Sequence, residues 1–132
     1  MAFEEDVLDI ALLTITDLSA LQYHFVTLSA DNTVEACNNA ADVVVGVLQN
    51  KPHGETTKPA VARVRVFGVS RIVPDGAAGL AVATFVGPNA TGEGVAKVAD
   101  KDRHSGLCIV AGTAASTYAT MVVMPPHTVE AS

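Results

Sequence analysis

Residues 60–73 read AVARVRVFGVSRIV, and this stretch decides the fold. In its first half small or branched apolar residues alternate with Arg63 and Arg65, which is the period-two pattern of a strand with one buried and one solvated face. Gly68 then interrupts the run, and a glycine within a strand pattern marks a bulge or a bend. The Pro-Asp-Gly sequence at 74–76 is typical of a tight turn. The stretch therefore predicts one long, bent strand after which the chain reverses.

The rest of the chain has the spacing of short strands separated by turns. Residues 43–48 read VVVGVL and are apolar throughout, which predicts a central strand covered on both faces. After residue 22, no long stretch has the apolar spacing of a helix. Further strands are predicted at 22–28, 33–37, 80–86, 95–98, 107–111 and 118–124.

These patterns predict an all-β fold, a small barrel or sandwich of about eight short strands. Its domain covers residues 21–125, because Pro125 and Pro126 cannot donate to a ladder and are expected to end the sheet. Residues 126–132 are then a C-terminal tail. The interior is predicted to contain four valines, Val45, Val47, Val64 and Val66.

Length and composition limit the class of protein. A chain of 132 residues suits a single domain, and its 49% of hydrophobic residues are mostly Ala and Val, which predicts a thin core of small side chains. The longest apolar runs are far shorter than the roughly 20 residues of a membrane-spanning helix. The first six residues are acidic, unlike a secretory signal, so we expect a protein made in a cytoplasm. Cys37 and Cys108 are therefore expected to be reduced and buried.

Charge is distributed unevenly along the chain. Eight acidic residues and no basic one precede Lys51, and all eight basic residues lie between Lys51 and Arg103. The two halves would look different to a partner, although a chance asymmetry on a solvated surface fits equally well. The net charge of -6 argues against a nucleic-acid partner, which would require a basic face.

The N-terminal residues 1–20 show helical and strand spacing at the same time. A terminal segment this apolar is not expected to stay in water, which favours an arm that lies on a partner. The alternative is that the segment completes the domain's own sheet. The apolar residues of the segment are Phe3, Val7, Leu8, Ile10, Leu12, Leu13 and Ile15.

No motif of the chain predicts catalysis, a metal or a cofactor. Residues 100–104, Asp-Lys-Asp-Arg-His, form the one dense polar cluster, and a solvated charged loop is the favoured interpretation. The four histidines have no metal-ligand spacing. Signatures of cysteine or serine nucleophiles and of phosphate loops are absent from the sequence. We therefore expect a protein that is not an enzyme.

The order of several short sequence segments along the chain resembles that of a known group of proteins. DLSA at 17–20 leads into YHFV at 23–26, and VGVLQNKP at 45–52 precedes VRVFGVS at 64–70. This pattern, over about residues 17 to 124, resembles the small capsid cement, or decoration, proteins of tailed bacteriophages. The resemblance implies a structural protein without enzymatic activity that binds between major capsid proteins on the outside of an icosahedral head. It also implies a location on the virion exterior and assembly as a homotrimer.

The resemblance and the charge pattern together suggest an interface. The apolar N-terminal residues are predicted to contact the capsid or a neighbouring subunit. Arg63, Arg65 and Arg71 are predicted to point outward and meet the acidic first half of a neighbouring chain, with solvated arginines as the alternative. A competing class is a soluble ligand-binding β-barrel, which would require an apolar cavity lined by larger side chains. A third is a hydrolase or isomerase with an inconspicuous site.

Overall fold

The computed structural model describes residues 7–76, 78–97, 103–113 and 118–128. This part of the chain contains nine strands and no helix, which confirms the all-β prediction. The strands are β1 (Leu8–Thr14), β2 (Phe25–Ala30), β3 (Thr33–Ala36), β4 (Val44–Leu48), β5 (Ala60–Ile72), β6 (Phe85–Pro88), β7 (Gly94–Ala96), β8 (Arg103–Val110) and β9 (Ala119–Thr128).

Five strands close into a barrel and four extend it. The barrel order is β1-β3-β2-β4-β5, and β1 pairs with β5 to close the ring. All its pairings are antiparallel except that of β1 with β3, which is parallel and consists of Leu13 opposite Thr33. The remaining strands continue from β5 in the order β9-β8-β6-β7 and form a second sheet.

Strand β5 belongs to both parts of the fold. Up to Phe67 it pairs with β1 and β4 in the barrel, and from Gly68 to Ile72 it pairs with β9 in the second sheet. Gly68 has a φ of 108°, which side-chain-bearing residues rarely adopt. The prediction of one long strand with a bend at this glycine is confirmed.

The fold has two hydrophobic cores, and β2 and β4 contribute to both. Val26 and Leu48 point into the barrel, whereas Phe25 and Val47 point away from it and pack under the second sheet. Because alternate residues of a strand face opposite sides, β4 is apolar throughout, and β2 is apolar on both faces at its start, Phe25 and Val26. The predicted central position of 43–48 is confirmed. Of the predicted interior valines, Val47 and Val64 are fully buried, and Val45 and Val66 are partly buried against the barrel core.

The structure corrects the prediction of an N-terminal arm. Leu8–Thr14 is β1, which pairs with β5 along its whole length, from Leu8 opposite Phe67 to Thr14 opposite Ala60. Pairing within the chain satisfies the backbone hydrogen bonds of β1 and places Leu12 in the barrel core. The alternative interpretation of the segment therefore holds for these residues. Residues 1–6, which include Phe3, lie outside the described part of the chain.

Two further strand boundaries differ from the prediction. β9 runs through both prolines to Thr128, because residues 124–126 form a bulge opposite Ser105 that takes the prolines out of the ladder. Part of the predicted tail is thus sheet. The stretch 80–86 is not continuous, since Ala83 has a φ of 63° and β6 begins only at Phe85.

The assignment of strand faces leads to a first prediction. Val64→Asp places an unpaired charge in the barrel core, where Val64 is 0% exposed, and should lower the free energy of unfolding by about 3–5 kcal/mol. Val61→Asp is the matched control on the same strand, because Val61 is 57% exposed and should change stability by less than about 0.5 kcal/mol. Urea denaturation measures both. A larger loss in Val61→Asp than in Val64→Asp would show that the faces of β5 are reversed.

Candidate functional site

An exposed surface with apolar ends lies where β1 and β5 run side by side on the outside of the barrel. Leu8 is opposite Phe67 at one end, and Leu13 is opposite Val61 at the other. All four side chains are 42–57% exposed. Arg63 lies between the two pairs, opposite Ala11, and is also exposed. We call these residues, Leu8, Leu13, Val61, Arg63 and Phe67, the β1–β5 surface.

An ion cluster in the middle of this surface fixes β1 to β5. Arg65 donates two hydrogen bonds to Asp9, from Nε to Oδ1 at 2.7 Å and from Nη2 to Oδ2 at 3.0 Å. Its Nη1 donates to the carbonyl oxygen of Val69 at 2.8 Å, beyond the bend in β5. Arg63 Nε lies 3.4 Å from Asp9 Oδ2. The cluster therefore ties together β1 and both halves of β5.

The structure corrects the prediction that Arg65 points outward to a neighbouring chain. Its side chain is only 17% exposed, and its acidic partner, Asp9, belongs to the same chain. The basic stretch and the acidic first half do meet at this point, within one subunit. The hydrogen bond from Arg65 is the main cause that lowers the pKa of Asp9, partly opposed by desolvation of the carboxylate.

A second prediction follows from the bidentate pair. Asp9→Asn removes the charge from a mostly buried carboxylate and should lower the free energy of unfolding at neutral pH by about 1.5–3 kcal/mol, the usual range for hydrogen bonds to charged groups. Asp31→Asn is the control, since Asp31 is exposed on the turn between β2 and β3. Urea denaturation at several pH values is the measurement.

The pH dependence has a definite sign. Because the folded pKa of Asp9 is depressed, its stabilisation is fully present above the unfolded pKa of about 3.9 and is lost as pH falls through the lower folded pKa. The difference between the natural chain and Asp9→Asn should be constant from neutral pH down to about pH 5 and should shrink in more acidic solution. A difference that does not change with pH would contradict the role of this carboxylate.

A groove lies beside the ion cluster on the second half of β5. It has a volume of about 280 Å³ and is lined by Tyr23, Gln49, Arg65, Val69, Ser70, Arg71 and Thr120. Two polar side chains in its lining are buried and bonded to each other, as Gln49 Nε2 donates to Ser70 Oγ at 2.9 Å. Tyr23 has a φ of 64°, and its backbone is held by hydrogen bonds to Leu48 and Val73.

Arg71 is held by an aromatic pair beside this groove. Its guanidinium carbon lies 5.6 Å from the centre of the Tyr118 ring, and Tyr118 contacts Tyr23 edge to face at 5.3 Å. The Arg71 side chain is exposed, as predicted for an outward arginine. Arg65 lines the same groove, whereas Arg63 is not among the lining residues.

A row of apolar side chains crosses the second sheet. Val69 is opposite Val122, Val122 is opposite Leu107, and Leu107 is opposite Phe85, so the four lie in register across β5, β9, β8 and β6. Phe85 is 44% exposed and the other three are partly buried. We call these four residues the second-sheet row. Phe85 also stacks on the buried ring of His104, with centroids 4.3 Å apart.

The predicted site residues are thus divided among different places. Leu8, Leu13 and Arg63 meet on the β1–β5 surface, and Val7 and Ile15 are exposed at the two ends of β1. Ile10 and Leu12 belong to the barrel core, which corrects their assignment to an interface. Four further exposed residues were not predicted from the sequence as interface residues: Val61, Phe67, Phe85 and Tyr118. Val61 and Phe67 share the strand parity of Arg63 and could have been found by the same alternation.

The described residues contain two thiols and no cluster of metal-ligating side chains. Among them, no three His, Cys, Asp or Glu side chains are arranged to hold a metal ion. Cys37 and Cys108 are both buried free thiols, as expected. Desolvation, with smaller effects of Asp42 and Glu35, raises the pKa of Cys37 to about 12, so this thiol is not a nucleophile at neutral pH. Of the predicted charged loop, residues 100–102 lie outside the described part.

Within the described ranges, no helix has the length and hydrophobicity required to cross a membrane. The sequence matches no protein family and no curated protein.

Proposed function

We propose that this protein is a capsid decoration protein that binds the outer surface of a tailed-phage head between major capsid proteins and stabilises the head. The observation that carries the proposal is the β1–β5 surface, with its two exposed apolar pairs. The resemblance of residues 17–124 to cement proteins gives the class of partner. In this role the protein lies on the exterior of the virion and has no catalytic activity.

The β1–β5 surface has the properties of a binding face. Its large apolar side chains stand on paired strands of a closed barrel, so they lose little conformational freedom on binding. Its exposed apolar pairs lie on either side of a polar centre, and large exposed apolar side chains beside polar ones are found at protein interfaces. Arg63 supplies the polar contact, because it is 58% exposed and makes only the longer contact to Asp9.

The alternative of a ligand-binding barrel finds no support in the barrel interior. Large side chains that fill it, Leu18, Val26, Val34, Leu48 and Val64, are each at most 2% exposed. A barrel of five strands has room for its own side chains only. The groove beside Arg71 is on the outside of the barrel and opens to solvent.

The proposal includes assembly as a homotrimer. A threefold contact is heterologous, so it requires two different patches on each subunit. The second-sheet row shares no residue with the β1–β5 surface and is a second apolar patch for such a contact. Three subunits would present three capsid-binding surfaces, and once one is bound the others bind intramolecularly. Weak individual contacts then hold the complex firmly.

The test of the proposal is co-sedimentation with expanded phage heads that lack their decoration protein. The natural chain should sediment with the heads and raise their resistance to heating. Val61→Asp should weaken binding about tenfold or more, the cost of a charged group at an apolar contact. Leu28→Asp is the matched control, because Leu28 is 55% exposed on β2, away from this surface, and should leave binding unchanged.

Two results would contradict the proposal. The first is that the natural chain, folded and in excess, remains in the supernatant. The second is that Val61→Asp and Leu28→Asp bind as well as the natural chain, which would show that the β1–β5 surface is not the contact.

A further inference from the structure

The Arg71 side chain brings a positive charge to the groove that no described carboxylate neutralises. Arg63 and Arg65 both contact Asp9, but no carboxylate among the described residues lies within 4 Å of Arg71. Its guanidinium is fixed over the Tyr118 ring, 5.6 Å from the ring centre, and lines the groove. A guanidinium presents a planar fork of N–H donors that matches the two oxygens of a carboxylate. Arg71 therefore offers the groove a charged donor for an anion.

The buried amide of Gln49 gives the groove an acceptor. Gln49 is 7% exposed, and its Nε2 donates to the Val47 carbonyl at 3.1 Å and to Ser70 Oγ at 2.9 Å. Because the Val47 carbonyl can only accept, these bonds fix which end of the amide is the nitrogen. In the described part of the chain Gln49 Oε1 makes no hydrogen bond. A buried oxygen in the lining of a groove stabilises a ligand that brings it an N–H or O–H group.

The acceptor and the charged donor are held close to each other. The Ser70 hydroxyl accepts from Gln49 and donates to the backbone carbonyl of Arg71 at 2.8 Å. Both side chains line the same groove, whose volume of about 280 Å³ lies just below the roughly 300–1,000 Å³ of sites for drug-sized ligands. The size of the groove therefore suits a small acid.

Tyr23 and Thr120 add hydroxyl groups to the lining. Neither side chain makes a hydrogen bond to another described residue. Tyr23 has a φ of 64°, a left-handed conformation that is rare for a bulky residue and costs about 1–3 kcal/mol. Hydrogen bonds from its N–H to the Leu48 carbonyl and to its carbonyl from the Val73 N–H hold this conformation. Such backbone outliers are concentrated at ligand sites.

We propose that the groove is a binding site for a small carboxylate with an N–H or O–H donor on the adjacent carbon atom. Arg71 binds the carboxylate, and Gln49 Oε1 accepts the hydrogen bond from the neighbouring donor. α-Hydroxy acids and the C-terminal residue of a peptide share this chemistry. The inference concerns the isolated protein and does not depend on capsid binding.

The two tyrosines of the chain make the inference testable, because Tyr23 lines the groove and Tyr118 contacts both Tyr23 and Arg71. The experiment is fluorine NMR of the full chain labelled with 3-fluorotyrosine, titrated at constant ionic strength with sodium glycolate, sodium acetate and glycolamide. Acetate lacks the hydroxyl of glycolate, and glycolamide lacks the carboxylate. Glycolate should shift the resonances saturably, acetate should bind about two- to tenfold more weakly for the loss of one hydrogen bond, and glycolamide should cause no saturable shift.

A fourth compound, N-acetylglycine, separates the two sources of the ligand, since it has an N–H beside its carboxylate as a chain terminus does. Tighter binding than that of glycolate assigns the site to the C-terminal residue of a peptide. Weaker binding assigns it to a free hydroxy acid. Both results support a carboxylate site.

Arg71→Gln should weaken glycolate binding at least about tenfold, the usual effect of losing a hydrogen bond to a charged group. Arg63→Gln is the matched control, because Arg63 is also exposed on β5 but does not line the groove, and its affinity should be unchanged. Equal losses in the two variants, no saturable shift with any carboxylate, or equal shifts with glycolate and glycolamide would overturn the site. Equal affinity for acetate and glycolate would overturn the role of Gln49. None of these results bears on co-sedimentation with heads.

Discussion

The bend of β5 at Gly68 is the constraint on which the rest of the structure depends. Through this one residue a single strand passes from the barrel, where it pairs with β1 and β4, to the second sheet, where it pairs with β9. A φ of 108° is accessible to glycine and strained for a residue with a side chain. The Arg65 guanidinium spans the bend from Asp9 to the Val69 carbonyl and holds its angle.

The bend explains how a chain of mostly small apolar residues builds a stable fold. Because β5 turns the second sheet over β4 and the start of β2, Phe25 and Val47 pack under that sheet while Val26 and Leu48 fill the barrel, so neighbouring residues contribute to both cores. Gly46 allows β4 to approach β5 closely, because a side chain at this position would collide with the backbone of Arg65. Burial on both faces replaces the large aromatic core that the sequence lacks.

The features that could be predicted from the sequence are those encoded by local patterns. The alternation around Arg63, the glycine at 68 and the apolar run of β4 each specify a strand without reference to distant residues. β1 could not be assigned in this way, because an amphipathic strand has the same pattern whether it covers its own barrel or a partner. The contact of β1 with β5 decides between these two possibilities. No local pattern reveals this contact, because the Asp9–Arg65 pair joins residues 56 positions apart. The prediction that the prolines of β9 end the sheet was wrong for a related reason, because only the pairing with β8 shows that they lie in a bulge.

Under the proposed function, β5 is the centre of binding as well as of folding, because its outward side chains Val61 and Phe67 would face the capsid. A reconstruction by electron cryomicroscopy of heads saturated with the protein tests this most directly. The account predicts density on the outer surface between major capsid proteins, oriented so that Val61 and Phe67 face the shell. Density in which these two side chains face solvent, or heads without added density at saturation, would contradict it.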